Sequence, residues 1–177
     1  MLAVTAACGD AATTVPTAIS ETVSAPIVTP ISGSIETPGA GPAVQGLIVR
    51  VDELEFPVEV AVSPEERIKG LSGRASLDAG TGMLFVFEKA DRLRFWMREM
   101  EFPLDMVWIS AGCRVVDISD NVPQPEPDTS LADLPRYSPE AVAKYVLEIN
   151  AGESAELGLG VGDRVEFLGE LAGRYDC

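Results

Sequence analysis

Thr81-Gly-Met-Leu-Phe-Val-Phe-Glu88, followed by Phe95-Trp-Met-Arg-Glu-Met-Glu-Phe-Pro-Leu-Asp105, is the stretch that decides the fold. Met83–Phe87 is an unbroken apolar run between turn glycines and a charge, the mark of a strand buried on both faces. Residues 92–98 read as a further strand and Leu104–Ser110 as another. Upstream, Gly46–Val51 and Leu54–Val62 are rich in β-branched residues, with Asp52-Glu53 as the turn. In the second run Leu54, Phe56, Val58 and Val60 alternate with Glu55, Pro57, Glu59 and Ala61, so the strand is half-buried and Pro57 marks an edge or irregularity. Downstream, Ala111-Gly112 turns the chain into a hairpin arm over Arg114–Ser119. Lys144–Asn150 and Arg164–Leu168 complete the strands. Ser63-Pro64-Glu65-Glu66 combines a capping serine, a first-turn proline and a capping-box glutamate, predicting a short helix that ends near Gly70-Leu71. Ser138-Pro139-Glu140 predicts a second short helix, and Glu153–Leu157 fits one helical turn. Val122–Pro135, rich in Pro and Asp, reads as a long loop. Many short strands with little helical periodicity predict a mainly β protein: a single compact sandwich or barrel-like domain over residues 46–177, with two short helices.

Composition narrows the function classes. The chain has 177 residues and a net charge of -15, from 13 basic and 28 acidic side chains. A duplex-binding surface must neutralise phosphates, so this balance argues against nucleic acid as a partner. Histidine is absent. With it go the usual general base near neutral pH and the commonest metal ligand, so neither a metal site nor a cofactor is expected. Cys8, Cys113 and Cys177 are far apart and form no C-x-x-C motif. In an oxidising compartment Cys113 can pair with Cys177; a free thiol fits the sequence equally well.

Residues 1–43 carry only Asp10, Glu21 and Glu36 as charges and are dominated by Thr, Ser, Ala, Pro and Gly. Such a segment offers too little apolar surface to offset its ordering entropy, so residues 9–45 are expected to be a disordered linker. Leu2-Ala-Val-Thr-Ala-Ala-Cys8-Gly9 resembles the end of a bacterial lipoprotein signal peptide, with residues 1–8 as its remnant and Cys8 as the lipid anchor. That predicts a domain tethered to the extracytoplasmic side of the membrane in the cell envelope. The alternative is an N-terminal segment with an incidental cysteine.

The sharpest candidate for binding is Arg92-Leu-Arg-Phe-Trp-Met-Arg98. In an extended chain Arg92, Arg94, Trp96 and Arg98 share one face, while Leu93, Phe95 and Met97 turn to the core. Guanidinium groups grip carboxylates and phosphates, and an indole offers a stacking surface. The competing reading is a solvated face whose arginines pair with neighbouring carboxylates. Asp105 lies in an apolar run, where a carboxylate is costly unless bonded. It is read either as a partner for Arg74 or Arg98, or as a structural cap after Pro103. Glu148, inside Tyr145-Val-Leu-Glu-Ile149, raises the same question. Asp105 and Glu148 together could form a glycosidase-type pair. The candidate ligand-binding set is therefore Arg74, Arg94, Trp96, Arg98, Asp105 and Glu148.

Gly70-Leu71, Arg74, Leu77, Gly82-Met-Leu-Phe-Val-Phe87, Phe95-Trp-Met97, Pro103-Leu-Asp105, Val115-Val116, Pro123, Tyr145-Val-Leu-Glu148, Ala151-Gly152 and Gly162-Asp163 stand in a known order. In these words the chain resembles the widespread bacterial and archaeal domain-of-unknown-function 192 family over residues 46–168. The resemblance implies a compact, mainly β fold, frequently exported. It carries no catalytic residues to transfer. The family usually has Lys-Asn-Thr where Arg98-Glu99-Met100 stands here. Relatives often carry cysteines in the loop at 122–135, which has none.

Three functions follow as expectations. The first is a non-catalytic, lipid-anchored extracytoplasmic accessory module binding a small polar or anionic ligand or a partner protein. The second is a structural interaction protein of a cell-envelope complex. The third is a carboxylate-based hydrolase acting on a glycan-like substrate.

Overall fold

In the computed structural model, residues 45–177 are described; the anchor expected at residues 1–8 and all but the last residue of the linker expected over 9–45 lie outside them. Seven strands and two short helices follow in chain order: β1 (Leu47–Val51), β2 (Leu54–Ala61), α1 (Pro64–Lys69), β3 (Gly82–Asp91), β4 (Leu104–Ile109), β5 (Val115–Val122), β6 (Ala143–Asn150), α2 (Glu153–Leu157) and β7 (Val165–Gly169). The strands form one sheet in the order β5-β4-β6-β3-β2-β1-β7. Only β2 and β3 run parallel, and α1 lies in the connection between them. The sheet curls into a half-barrel. At one end its two edges meet: Arg114 bridges Arg164, and the Val115 N–H donates to the Asp163 carbonyl at 3.0 Å.

Strand alternation explains the two cores. Val49, Phe56, Leu84, Val107, Val115, Leu147 and Phe167 come one from each strand and share a single buried cluster, which fills the concave side. The intervening residues of the central strands, among them Met83, Phe85, Met106, Trp108 and Val146, point to the outer face. There they are covered by Leu71, Leu93, Met97 and Met100 from the long connections. Fully burying one such side chain stabilises the fold by about 1.5–3 kcal/mol, so both faces contribute. β3 and β6 approach closely at Gly82, where an added Cβ would sit 2.7 Å from the Glu148 carbonyl oxygen. Glycine is required there for space.

Most predicted elements stand. The Asp52-Glu53 turn joins β1 to β2 with Val51 opposite Leu54. β3 joins β2 only from Val58 onward, one residue past Pro57, so the proline meets the predicted irregularity. Two elements differ. Residues 92–98 are not a strand: Phe95 exchanges backbone hydrogen bonds with Tyr137, at 2.9 Å each way, and its neighbours make no ladder. The predicted alternation survives all the same, because Leu93 and Met97 must cover the outer core while Arg92 and Arg94 stay in solvent. Ser138-Pro139-Glu140 is not a helix. The Glu140 N–H is taken by Asp117 Oδ2 at 2.8 Å and its carbonyl by Arg92 at 2.7 Å, so neither serves a helical turn, and the chain bends at Glu140 and Ala141 before β6. The second helix is the single turn at Glu153–Leu157.

Cys113 and Cys177 form a disulfide, with Cα atoms 5.4 Å apart. It fastens the C-terminal segment to the β4–β5 hairpin, near the point where the sheet edges meet. Leu171 and Tyr175 from that segment pack on the inner core.

Candidate functional site

On the outer face of the sheet, a recess of about 320 Å³ opens between α1 and the connection 94–100. Its floor is made by Phe85 and Phe87 of β3 and Glu148 of β6. Local sequence builds each wall. α1 starts at the capping box: Ser63 Oγ accepts from the Glu66 N–H, and Glu66 accepts from the Ser63 N–H at 2.8 Å. It ends at Gly70, whose φ of 45° lets the chain turn. A Cβ at Gly70 would lie 3.0 Å from Phe85, so the helix terminus rests directly on the aromatic floor. Arg67 pins the helix to the sheet, donating to the Val62 carbonyl and, at 2.8 Å, to the Val86 carbonyl. Its guanidinium stacks 4.7 Å above Phe87.

The opposite wall is held by Phe95, which stands edge-on to Phe85 at 5.0 Å and to Trp108 at 5.4 Å. Trp96 is half-buried beside it, with the Arg136 guanidinium 4.4 Å over its ring. The two walls are tied together: Ser72 Oγ donates to the Arg98 carbonyl and the Gly73 N–H to the Glu99 carbonyl, both at 2.8 Å.

Glu148 is the one acidic side chain lining the recess. It is 5% exposed, and its carboxyl group makes no hydrogen bond or ion pair among the described residues. Burial pushes its pKa up to about 8, so the group is mostly uncharged at neutral pH. Arg94 and Lys69 line the same recess, are exposed, and have no acidic partner among the described residues. The site is therefore an aromatic and aliphatic hollow with an isolated acid beneath and unpaired cations around it.

Of the six residues expected to bind, the structure brings Arg94, Trp96 and Glu148 together here and leaves the others elsewhere. Arg74 is committed to Glu59, with Nη2 2.8 Å from its carboxylate. That contact holds the Glu59 pKa below its usual value. Arg98 pairs with its neighbour Glu99 at 2.9 Å and lines an adjoining hollow that shares Ile68, Lys69 and Ser72 with the recess. Asp105 lies across the sheet. In the β4–β6 register it is opposite Ile149, an inner-core residue, whereas Glu148 is opposite Met106, an outer-core residue. The two carboxylates therefore face opposite sides, and the expected acid–base pair does not form.

Asp105 is a structural anchor, though not for the bend after Pro103. Fully buried, it accepts hydrogen bonds from the backbone N–H groups of Asn121 (2.7 Å), Gly152 (3.0 Å) and Ser154 (2.9 Å) and from Ser154 Oγ (2.6 Å). It thus supplies from β4 the cap that α2 lacks locally, since Gly152 has no side chain to cap with. The sequence reading missed Phe85, Phe87 and Lys69 as wall residues. Phe85 and Phe87 share the i, i+2 face of β3, a signal in plain view, but only the neighbouring β6 shows that this face carries an acid.

The profile of the DUF192 family, described as uncharacterised ACR, matches residues 47–167. The chain belongs to this family. The structure of a protein of unknown function from Novosphingobium aromaticivorans is 32% identical and aligns with a TM-score of 0.61, covering 76% of this chain and 99% of that one. A Sinorhizobium meliloti structure, provisionally described as a transcription regulator, is 28% identical with a TM-score of 0.61, covering 72% of this chain and 98% of that one. Comparison with curated proteins gives no match. For this DUF192 member the family fixes the domain and its β fold and leaves the chemistry to the recess itself. Among the described residues no helix is long and apolar enough to cross a membrane, and no cluster of potential ligands could hold a metal.

Proposed function

We propose that this DUF192 protein is a non-catalytic binding module of the cell envelope, carried on the extracytoplasmic side of the membrane by a lipid on Cys8. Its ligand is a small polar or anionic molecule whose apolar part lies against Phe85, Phe87, Phe95 and Trp96. One observation carries the reading: an apolar recess large enough for a small molecule, with the unpaired cations Arg94 and Lys69 along it. Small-molecule sites combine such a lining with a few polar groups that set orientation. The Cys113–Cys177 disulfide supports an oxidising compartment. A net charge of -15 disfavours a nucleic-acid role, including the regulator description given to the Sinorhizobium protein.

The pocket is tested by thermal shift with medium-chain carboxylates and aryl carboxylates. Binding raises the melting temperature by mass action. Trp96→Ala and Arg94→Ala should abolish the shift, and a shift unaffected by both would locate binding elsewhere. The anchor is tested separately, by finding the full-length protein in membranes and Cys8→Ala in the soluble fraction.

A second reading is a structural interaction protein that accepts a partner's side chain in the same recess. Ile68 favours it, being 57% exposed on α1 beside the opening. Failure of every small molecule, together with loss of a partner complex in Ile68→Glu, would decide for it.

A further inference from the structure

Phe85, Phe87, Phe95 and Trp96 line the same recess as a buried carboxyl group that no other described side chain engages. Aromatic faces attract cations through their quadrupoles, and the attraction grows when water is excluded. A lone acid at the bottom of such an enclosure is complementary to an amine. The rest of the lining adds a second requirement. Every other charged residue facing the recess is a cation: Arg67 and Lys69 from α1, and Arg94 from the opposite wall. Arg67 is pinned to the sheet, with Nη1 donating to two backbone carbonyls and its guanidinium stacked on Phe87, so Lys69 and Arg94 are the lining cations whose side chains make no hydrogen bond or ion pair among the described residues. A plain cationic ligand would be repelled by them, and a plain anion would leave the acid without a partner.

Building on the binding reading above, we infer that the ligand is a zwitterion, with a primary amine turned inward to Glu148 and a carboxylate or phosphate outward at Arg94 and Lys69. The uncharged Glu148 carboxyl ionises when the ammonium group docks. The O–H bond breaks, the proton passes to buffer, and a carboxylate–ammonium pair with charge-assisted hydrogen bonds is left behind. Atoms and charge balance with no further reactant.

The decisive experiment compares three probes of one length by titration calorimetry: 6-aminohexanoate, hexanoate and hexylamine. 6-Aminohexanoate should bind at least about tenfold more tightly than either single-headed probe, the scale of one charge-assisted contact. Repeating the titration in buffers of different ionisation heat should show about one proton released per ligand near pH 6, and little release above about pH 9, where Glu148 is already ionised. The release is read on the unaltered protein, so it does not depend on a variant folding. Glu148→Gln should abolish both the release and the preference for the amine while keeping the affinity for hexanoate. Hexanoate binding as tightly as 6-aminohexanoate, or a preference surviving Glu148→Gln, overturns the amine assignment and leaves the pocket reading standing. No binding by any of the three overturns both. Free small molecules and lipid headgroups share this chemistry, so phosphatidylethanolamine vesicles form a final arm. Sedimentation of the unlipidated domain with them, and not with phosphatidylglycerol vesicles, assigns the zwitterion to a headgroup. No sedimentation with either assigns it to a free solute.

Discussion

Asp105 and Glu148 are both buried carboxylates in the middle of the same sheet, on adjacent strands, yet the fold treats them in opposite ways. Asp105, on the concave side, is surrounded by four donors from two segments, β5 and the α2 turn. Both of its oxygens are hydrogen-bonded, and its role is to hold β4, β5 and the α2 turn together. Glu148, one register position away on the outer side, has no partner and faces a hollow. A buried polar group that is satisfied belongs to the scaffold; one that is not calls for an explanation, and for Glu148 the ligand proposed above supplies it.

Removing Asp105 should break the scaffold side of this contrast most severely. Asp105→Ala leaves three backbone N–H groups and the Ser154 hydroxyl without their acceptor, at about 1–3 kcal/mol for each unsatisfied group. A loss of about 5 kcal/mol in stability, near the upper end for a single substitution, is the expected result of urea unfolding. Asp105→Asn keeps one carbonyl acceptor and should fall between the two.

Glu148 should show itself in the pH dependence of stability. Its folded pKa of about 8 lies above the ordinary value of 4.5. Below about pH 4.5 the group is protonated in both states and costs nothing extra. As pH rises towards 8 the unfolded chain ionises while the folded one holds its proton, so stability falls across that window. The slope levels off above it. The total loss is on the order of 5 kcal/mol. Glu148→Gln should remove this fall and be close to neutral below pH 4.5, as read from denaturant midpoints across the range. A slope that persists in the variant would mean that another group titrates.

The disulfide separates global from local effects. Reduction, or Cys113→Ser, should lower stability by about 3 kcal/mol, as expected for a cross-link closing a long loop. It should leave the pH slope of Glu148 intact, because Cys113 and Cys177 lie away from the recess. Calorimetry with and without reductant checks both points. The smallest effect sharpens the comparison at the site itself. Ser63→Ala removes the cap of α1 and should cost about 1 kcal/mol. With that wall loosened, water reaches Glu148, and the pH window of its titration should narrow towards 4.5.

Much of the fold was legible because it rests on local rules. The capping box at Ser63 and Glu66, the two-residue turn at Asp52-Glu53, and the doubly buried run at Met83–Phe87 each carry their explanation in adjacent residues. Ser138-Pro139-Glu140 misled for the same reason. It has the local signature of a helix start, but hydrogen bonds to Asp117 and Arg92, both distant in sequence, override it. The site was half legible. Trp96 and Arg94 stood out as an aromatic and a cation on one extended face, and Glu148 stood out as an acid in an apolar run. Their convergence was not readable, nor was the sorting of Asp105 from Glu148, because both depend on which strand lies beside which.

The sequence alone determined seven of the strands and their buried faces, the first helix and its ends, the absence of histidine chemistry, and membership of the family, because periodicity, caps and motif order are written in neighbouring residues. Tertiary structure alone decided that β6 lies between β3 and β4. It also decided that Asp105 is bonded and Glu148 is not, and that the chain at 94–100 walls a recess against α1. Those outcomes turn on pairings between residues tens of positions apart, where alternation assigns each side chain to one face or the other and no local pattern records which neighbour it will meet.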